Sequence, residues 1–382
     1  MRIFVASASD HLTDHLPLSE GLIALSLIEG LTARGHEVVA CVDRASLRSR
    51  PASTVVELGR TGPFESLTPY TRPRAIDRVL AAHGRGTFDV VHWLFPQDPQ
   101  EIRLPHSAGA RTVIGPLMGR WPVAGLPRRR RAGDYIRAAL GPSLRRRHDR
   151  VMAEVDTLLV AHPEVISGLP PRLKERAMLL GFGIDENRFV PTPLPTVPTF
   201  LFVGRLIEEK GVRALLAAFA ALSKTNADAR LLIVGDGPLM PWVRDYCRQH
   251  GLVDSVDIVG VVPYEAMPEM LSRCSVLCMP SVGEPYGMAI VEAMSAGRAV
   301  IAVDRAGPAH LLRRGDGGRL IPPHDVHALT QAMEELARNL DRLRLMGEAN
   351  REHVLEELTV AHMVDQFEQV YSDEPLKAGY GT

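Results

Sequence analysis

The chain has 382 residues, 46% of them hydrophobic and 23% charged, with 44 basic side chains against 45 acidic ones. That length exceeds one comfortable core and predicts two domains, and the near-neutral balance gives no general attraction to nucleic acid or an anionic surface. No apolar run reaches the roughly eighteen residues that a membrane-spanning helix needs. The four cysteines, Cys41, Cys247, Cys274 and Cys278, have the spacing of neither a disulfide framework nor a zinc site. A cytoplasmic protein is expected on these grounds.

The opening MRIFVAS reads as a first strand rather than a signal peptide, because polar and charged residues follow at once. SEGLIALSLIEGLTARG reads as a helix closed by Gly35, and EVVACV, FDVVHWLF and RTVIG as further strands. VMAEVDTLLVAH reads as the end of a helix running into another strand. Four prolines in DENRFVPTPLPTVPTF then make a semi-rigid connector that cannot continue a helix. Beyond it TFLFVG, ARLLIVG, SVDIVG, SVLCMP, RAVIAV and GRLIPP read as six strands, each followed by a helical segment. The expected class is α/β, with two Rossmann-like doubly wound domains, 1–190 and 191–358, facing each other across a cleft. A C-terminal helix at 359–373 is expected to pack back on the first domain.

The chemistry gathers in the second half. Strand FLFVG leads into Arg205 and Lys210 just before a helix, which makes an anion clamp strengthened by the helix N-terminus. The plain competitor is two solvated cations neutralised by Glu208 and Glu209. In MPSVGEPYGMAIVEAMSAG the amides of Gly287, Met288 and Ala289 open a helix and suit a diphosphate. Glu292, inside the apolar stripe of that helix, suits neutral hydroxyls such as those of a ribose, since an idle carboxylate there would be costly. Glu284, in the loop before the helix, would then meet the sugar end of the ligand.

GFGIDENRFVP, GRLIEEKG, LLIVGDGP, SVGEPYGMAIVEAMSAG and GRLIPPHD occur in the order and spacing in which the chain resembles the family-4 retaining glycosyltransferases of the GT-B fold, over residues 180–325. The resemblance implies that Arg205 and Lys210 hold the donor diphosphate and stabilise the leaving group, with Glu284 beside the donor sugar. It implies main-chain contacts to the donor at Gly204, Gly287, Met288 and Ala289, base reading at Val262, ribose binding at Glu292, and a diphosphate contact near Gly21. Transfer would proceed with retention, the leaving phosphate taking the acceptor's proton on the same face. UDP is the first expectation for the nucleotide, then GDP. No cofactor is expected; Arg205 and Lys210 replace a metal, and no Asp-x-Asp motif stands ready to hold one.

The first domain departs from the family pattern. Leu18-Ser19-Glu20-Gly21 stands where a double glycine is usual, Gly115-Pro116 where many members carry a histidine, and His310 where a glutamate is common. His92, in DVVHWL, matches another frequent family histidine, with a satisfied strand-end histidine as the rival reading. Asp10 and His11, with His92, Gly115 and Pro116, are the candidates for the acceptor side. Asp10-His11 and Asp14-His15 look superficially like metal ligands, yet Pro17 argues for a loop without converging geometry, so no metal site is expected. Acidic Asp10, Asp14, Glu20 and Asp98 suggest a polar, amine-bearing small-molecule acceptor. Nine arginines between 128 and 150, against Asp134 and Asp149, suggest instead an anionic lipid or glycan; a solvated helical face is the preferred reading of that stretch over a membrane contact. No nucleic-acid partner is expected. The alternatives to a transferase are a nucleotide-sugar epimerase of the same fold and a donor-binding protein with a decayed site.

Overall fold

The computed structural model of the chain describes residues 1–59, 68–84, 86–95, 109–118 and 154–374. Asp98 and the basic stretch 128–150 lie outside these residues. The chain divides into a first unit, Met1–Phe182 with Val360–Thr382, and a second, Gly183–Thr359. Among the described residues no helix is long and apolar enough to cross a membrane.

The first unit runs β1 (Arg2–Val5), β2 (His11–Thr13), α1 (Ser19–Ala33), β3 (Glu37–Val42), β4 (Arg44–Ser46), β5 (Thr54–Glu57), α2 (Thr68–Ala82), β6 (Val90–Trp93), β7 (Arg111–Leu117), β8 (Thr157–Val160), α3 (Pro163–Gly168), α4 (Pro171–Lys174) and β9 (Ala177–Leu179). Seven strands form one parallel sheet in the order β5-β3-β1-β6-β7-β8-β9. β2 and β4 make a separate two-stranded ladder, with His11 opposite Arg44 and Thr13 opposite Ser46. The central strands are buried on both faces, which is why EVVACV and DVVHWLF read as near-continuous apolar runs.

The second unit runs β10 (Thr199–Val203), α5 (Val212–Thr225), β11 (Arg230–Val234), α6 (Met240–Gln249), β12 (Val256–Gly260), α7 (Met267–Ser272), β13 (Val276–Met279), α8 (Met288–Ser295), β14 (Ala299–Val303), α9 (Ala306–Leu312), β15 (Gly318–Ile321), α10 (Val326–Ala337) and α11 (Leu340–Glu357). Its six parallel strands lie in the order β12-β11-β10-β13-β14-β15. On α5 the residues Val212, Leu215, Leu216, Phe219 and Leu222 fall on one face at helical spacing, and all are buried against the sheet. Asp325 caps α10 by accepting from the Ala328 amide at 2.8 Å, and Asn339 caps α11 through the Arg342 amide at 2.9 Å.

The second unit begins before the proline-rich stretch. The Ile184 amide donates to the Leu358 carbonyl at 2.8 Å, and Arg351 of α11 donates from Nη1 to the carbonyls of Glu186, Phe189 and Ser295 at 3.0–3.1 Å. These bonds pin the segment ahead of the prolines onto α8 and α11. The final helix, α12 (Val360–Tyr371), belongs to the first unit and packs on α1. Arg34 bridges Asp365 and Glu368 there, and His36 meets Glu368 at 2.6 Å.

Candidate functional site

In the second sheet the strand order reverses between β10 and β13, and the loops leaving their carboxyl ends occupy the usual ligand position in doubly wound sheets. These are the loops that carry Gly204 to Gly211 and Pro280 to Gly287. Backbone bonds lock them together with the loop after β11. The Leu206 amide donates to the Asp236 carbonyl at 2.9 Å, the Leu239 amide to Leu206 at 3.0 Å, and the Val282 amide to Glu209 at 3.0 Å. The lock works only because Gly235 has no side chain; a Cβ there would lie 1.9 Å from the Gly204 carbonyl oxygen.

The interlocked loops bring Lys210 and Glu284, 74 positions apart, into an ion pair: Nζ lies 2.6 Å from Oε2, and the Glu284 side chain is 14% exposed. Arg205, five positions before Lys210, is exposed and takes no ion pair among the described residues. Glu208 pairs with Arg213 at 2.9 Å instead of neutralising Arg205 or Lys210. Gly287 caps α8 with φ +101°, a left-handed conformation that glycine adopts without steric penalty. As the first residues of α8, Met288 and Ala289 have amides with no intrahelical acceptor, the ordinary condition of a helix start. Val262 follows β12, where the Gly260 carbonyl accepts from the Gly235 amide at 2.7 Å, so the edge loop is tied into the same set.

Glu292 is buried within α8, at 8% exposure. Burial pushes its carboxyl from the ordinary 4.5 up to about 8, against the opposing pull of a hydrogen bond from Tyr264 and the charge of Arg188. The sequence alone marks neither Tyr264 nor Arg188, although NRFVP and VPYEAMP, which hold them, lie in the region that carries the family resemblance. Between pH 4.5 and 8 the folded chain keeps a proton here that the unfolded chain releases, so this group makes stability fall as pH rises through that window. Glu292→Gln is therefore expected to have a shallower loss of thermal midpoint between about pH 4.5 and 8 than the unsubstituted chain. Parallel curves would mean that Glu292 does not titrate there.

In the first unit the acceptor-side candidates separate into surface and interior. Asp10 is exposed at the end of the loop after β1 and accepts from the buried Arg72 at 3.2 Å, and His11 Nε2 meets Ser46 Oγ at 2.7 Å. His15 pairs with Asp14 at 2.7 Å. Gly21 is buried in α1, where a Cβ would meet the His11 carbonyl oxygen at 2.1 Å; it serves the packing of α1 on β2.

His92, Gly115 and Pro116 do not line a surface. His92 is 0% exposed, and burial lowers its pKa to about 4, so it is neutral. Its Nε2 donates to the Gly115 carbonyl at 2.8 Å, and its Nδ1 accepts from the Tyr371 hydroxyl at 2.8 Å, one tautomer satisfying both. It ties β6, β7 and α12 together as a satisfied strand-end histidine, the second of its two expected readings. Gly115 and Pro116 are buried in β7 and joined by a cis peptide bond.

Residues 183–353 match the family described as Glycosyl transferases group 1. A phosphatidyl-myo-inositol mannosyltransferase of Mycobacterium leprae is 28% identical over 331 residues, covering 82% of each chain. Among solved structures, sucrose-phosphate synthase from Thermosynechococcus elongatus superposes with a TM-score of 0.74 at 21% identity, covering 97% of this chain and 98% of that one. Anabaena HepE, solved in complex with UDP-glucose, gives a TM-score of 0.69 at 14% identity over 98% of this chain and 100% of its own. The chain spans 17%, 41%, 60% and 60% of the length of the first four curated relatives it matches. By its fold, two Rossmann-like units of the GT-B type, and by the match of residues 183–353, the chain is similar to the group 1 glycosyl transferases.

Proposed function

We propose that the protein is a retaining glycosyltransferase that moves a sugar from a nucleoside-diphosphate donor, UDP-sugar first, to a polar small-molecule or glycan acceptor without a metal. The observation that carries this reading is the Lys210–Glu284 pair, 2.6 Å apart at the point where the strand order of the second sheet reverses. A cation and a carboxylate held together there match the two ends of a sugar diphosphate. The UDP-glucose bound to HepE, a protein of similar fold, supports the choice of uridine.

In this reading Arg205, Lys210 and the Met288 and Ala289 amides face the diphosphate. Cleavage of the sugar–phosphate bond concentrates negative charge on the departing diphosphate, and these fixed donors stabilise that charge more than they stabilise the bound donor. Lys210 turns from Glu284 toward phosphate, and Glu284 then accepts from hydroxyls of the donor sugar. Glu292 accepts from the ribose. A departing phosphate oxygen takes the acceptor's proton on the face from which the diphosphate leaves, so the anomeric configuration is kept. With two cations and a helix N-terminus at the diphosphate, a divalent ion is not required for charge balance. The exposed Asp10 is the group of the first unit best suited to a polar acceptor.

The test is a thermal-shift titration against UDP, GDP, ADP and their common sugars, with and without EDTA. A saturable rise of several degrees for the uridine series, unchanged by EDTA, is expected. A rise only for guanosine or adenosine compounds would replace the proposed base. A rise abolished by EDTA would overturn the metal-free site, and none at all the donor site itself. Conversion of the donor without any acceptor into a new nucleotide sugar would mark an epimerase.

A further inference from the structure

Within the second unit the proline-rich segment and α11 enclose a groove of about 840 Å³. One wall is Pro191–Thr196, which leads into β10, and the other is the face of α11 from Leu340 to Glu356. Gly297, just ahead of β14, lies between them. The groove therefore sits at the amino ends of the strands, at the opposite end of the sheet from Lys210 and Glu284. Its walls are fixed. A Cβ on Gly297 would come 3.3 Å from Pro191 Cβ, and one on Gly347 would lie 2.1 Å from the Gly297 carbonyl oxygen, so two glycines let segment and helix close on one turn. The Phe189 carbonyl accepts from Arg351 Nη1 at 3.1 Å and from Ser295 Oγ at 2.9 Å, and the Thr192 carbonyl accepts from the buried Arg298 at 3.0 Å. Leu340 and Leu355, large and apolar, nevertheless stand 38% and 45% exposed on the helix wall. An apolar surface with a charged rim is the ordinary mark of an interaction site.

We propose that this groove docks a basic amphipathic helix of a partner protein. Pro191, Pro193 and Pro195 have no amide hydrogen, so their wall cannot extend a ladder to an added strand and offers carbon surface instead. From Leu340 to Glu356 the other wall rises about 24 Å, and a helix about 10 Å across, half sunk along that length, displaces roughly 900 Å³. That is close to the space present. Charge at the rim sets the sign of the partner. Arg344 is neutralised by Glu348 at 2.6 Å, and Arg351 is turned to the carbonyls of Glu186, Phe189 and Ser295. Asp341, Glu352 and Glu356 are exposed and take no ion pair among the described residues, so acidic groups outnumber the one remaining cation. Lysines or arginines beside the apolar stripe of the incoming helix meet these carboxylates, while the stripe covers Leu340, Leu355 and the prolines. The same face of a second copy would bring like charges together, and an anionic lipid surface would be repelled.

Fluorescence anisotropy with a labelled leucine–lysine peptide of about sixteen residues, the length that spans the groove as a helix, tests this on the full chain. Its leucines stand at helical spacing; a scrambled peptide of the same composition and a leucine–glutamate counterpart serve as comparisons. The helical leucine–lysine peptide is expected to bind saturably and about tenfold or more tighter than the scrambled one, and the leucine–glutamate peptide not to bind. The triple variant Asp341→Asn, Glu352→Gln, Glu356→Gln is expected to lose about tenfold in affinity, as three exposed charge pairs allow, together with most of the salt dependence. Leu340→Ser combined with Leu355→Ser is expected to lose a similar factor through the apolar contact alone. All five side chains are exposed, so the thermal midpoints of both variants should stay close to the wild type, and either variant suffices if the other does not fold. No binding to the wild type, or wild-type binding in a folded variant, overturns the proposal. Equal binding of the helical and scrambled peptides would reduce the contact to charge attraction without a groove, and overturns it as well. A dimer in sedimentation equilibrium that Leu340→Ser with Leu355→Ser dissolves would assign the groove to a second copy instead.

Discussion

Arg205→Ala is expected to lower turnover of the nucleotide-sugar donor by about two to three orders of magnitude, the usual loss when one preorganised group is removed from a site of developing charge. Arg205 leaves the loop after β10 exposed and takes no ion pair among the described residues, so its removal strands no buried partner. The thermal midpoint should hence stay close to the wild type, as for most surface substitutions. Two outcomes separate ground-state from transition-state roles. If kcat and kcat/KM fall together, the guanidinium acts on charge that develops as the sugar–phosphate bond breaks. If only KM rises, it merely holds the donor. Arg205→Lys should recover part of the loss, because the charge is kept while the two-pronged donor geometry is not. Turnover near the wild-type value in Arg205→Ala would remove Arg205 from the mechanism.

The six strands of the second sheet were legible because each is a short apolar run bounded by glycine, proline or charged residues, and the four inner ones are buried on both faces. β2, β4, β5 and β9 were not, since runs of three or four half-buried residues such as TVVE carry no period to read. Glu292 was legible for an energetic reason: a carboxylate inside an apolar helical stripe needs a partner, and it has one in Tyr264. The partner was hidden, because a tyrosine in VPYEAMP carries no pattern that ties it to a helix residue 28 positions on. His92 shows the same limit. Whether a strand-end histidine meets solvent or protein depends on Tyr371, 279 positions away, and no local signal reports that contact. Gly235 stood in the recognisable LLIVGDGP, yet its function is a steric allowance toward Gly204 that only the folded loops reveal.

Lys210→Ala is expected to weaken UDP binding and turnover by about a hundredfold, and adding Glu284→Gln to it is expected to restore about tenfold of the binding. The lysine does two things at once. It offers a cation to the diphosphate, and it neutralises a carboxylate that is 2.6 Å from it and largely shielded from water. Deleting the lysine alone therefore leaves Glu284 as an unpaired negative charge beside an anionic ligand. Two unit charges about 4 Å apart repel by up to about 4 kcal/mol at an effective dielectric of about 20, and tenfold in binding is about 1.4 kcal/mol, well within that bound. Glutamine keeps the size and an acceptor oxygen and removes the charge. Binding should accordingly rank wild type first, then the double variant, then Lys210→Ala, whereas turnover of the double variant should stay low, because the leaving group still lacks its cation. Calorimetric titration of UDP into the wild type, both single variants and the double variant gives the coupling directly. A double variant that binds UDP no better than Lys210→Ala would place the carboxylate away from the diphosphate, and Glu284 would then have no part at the sugar end of the donor.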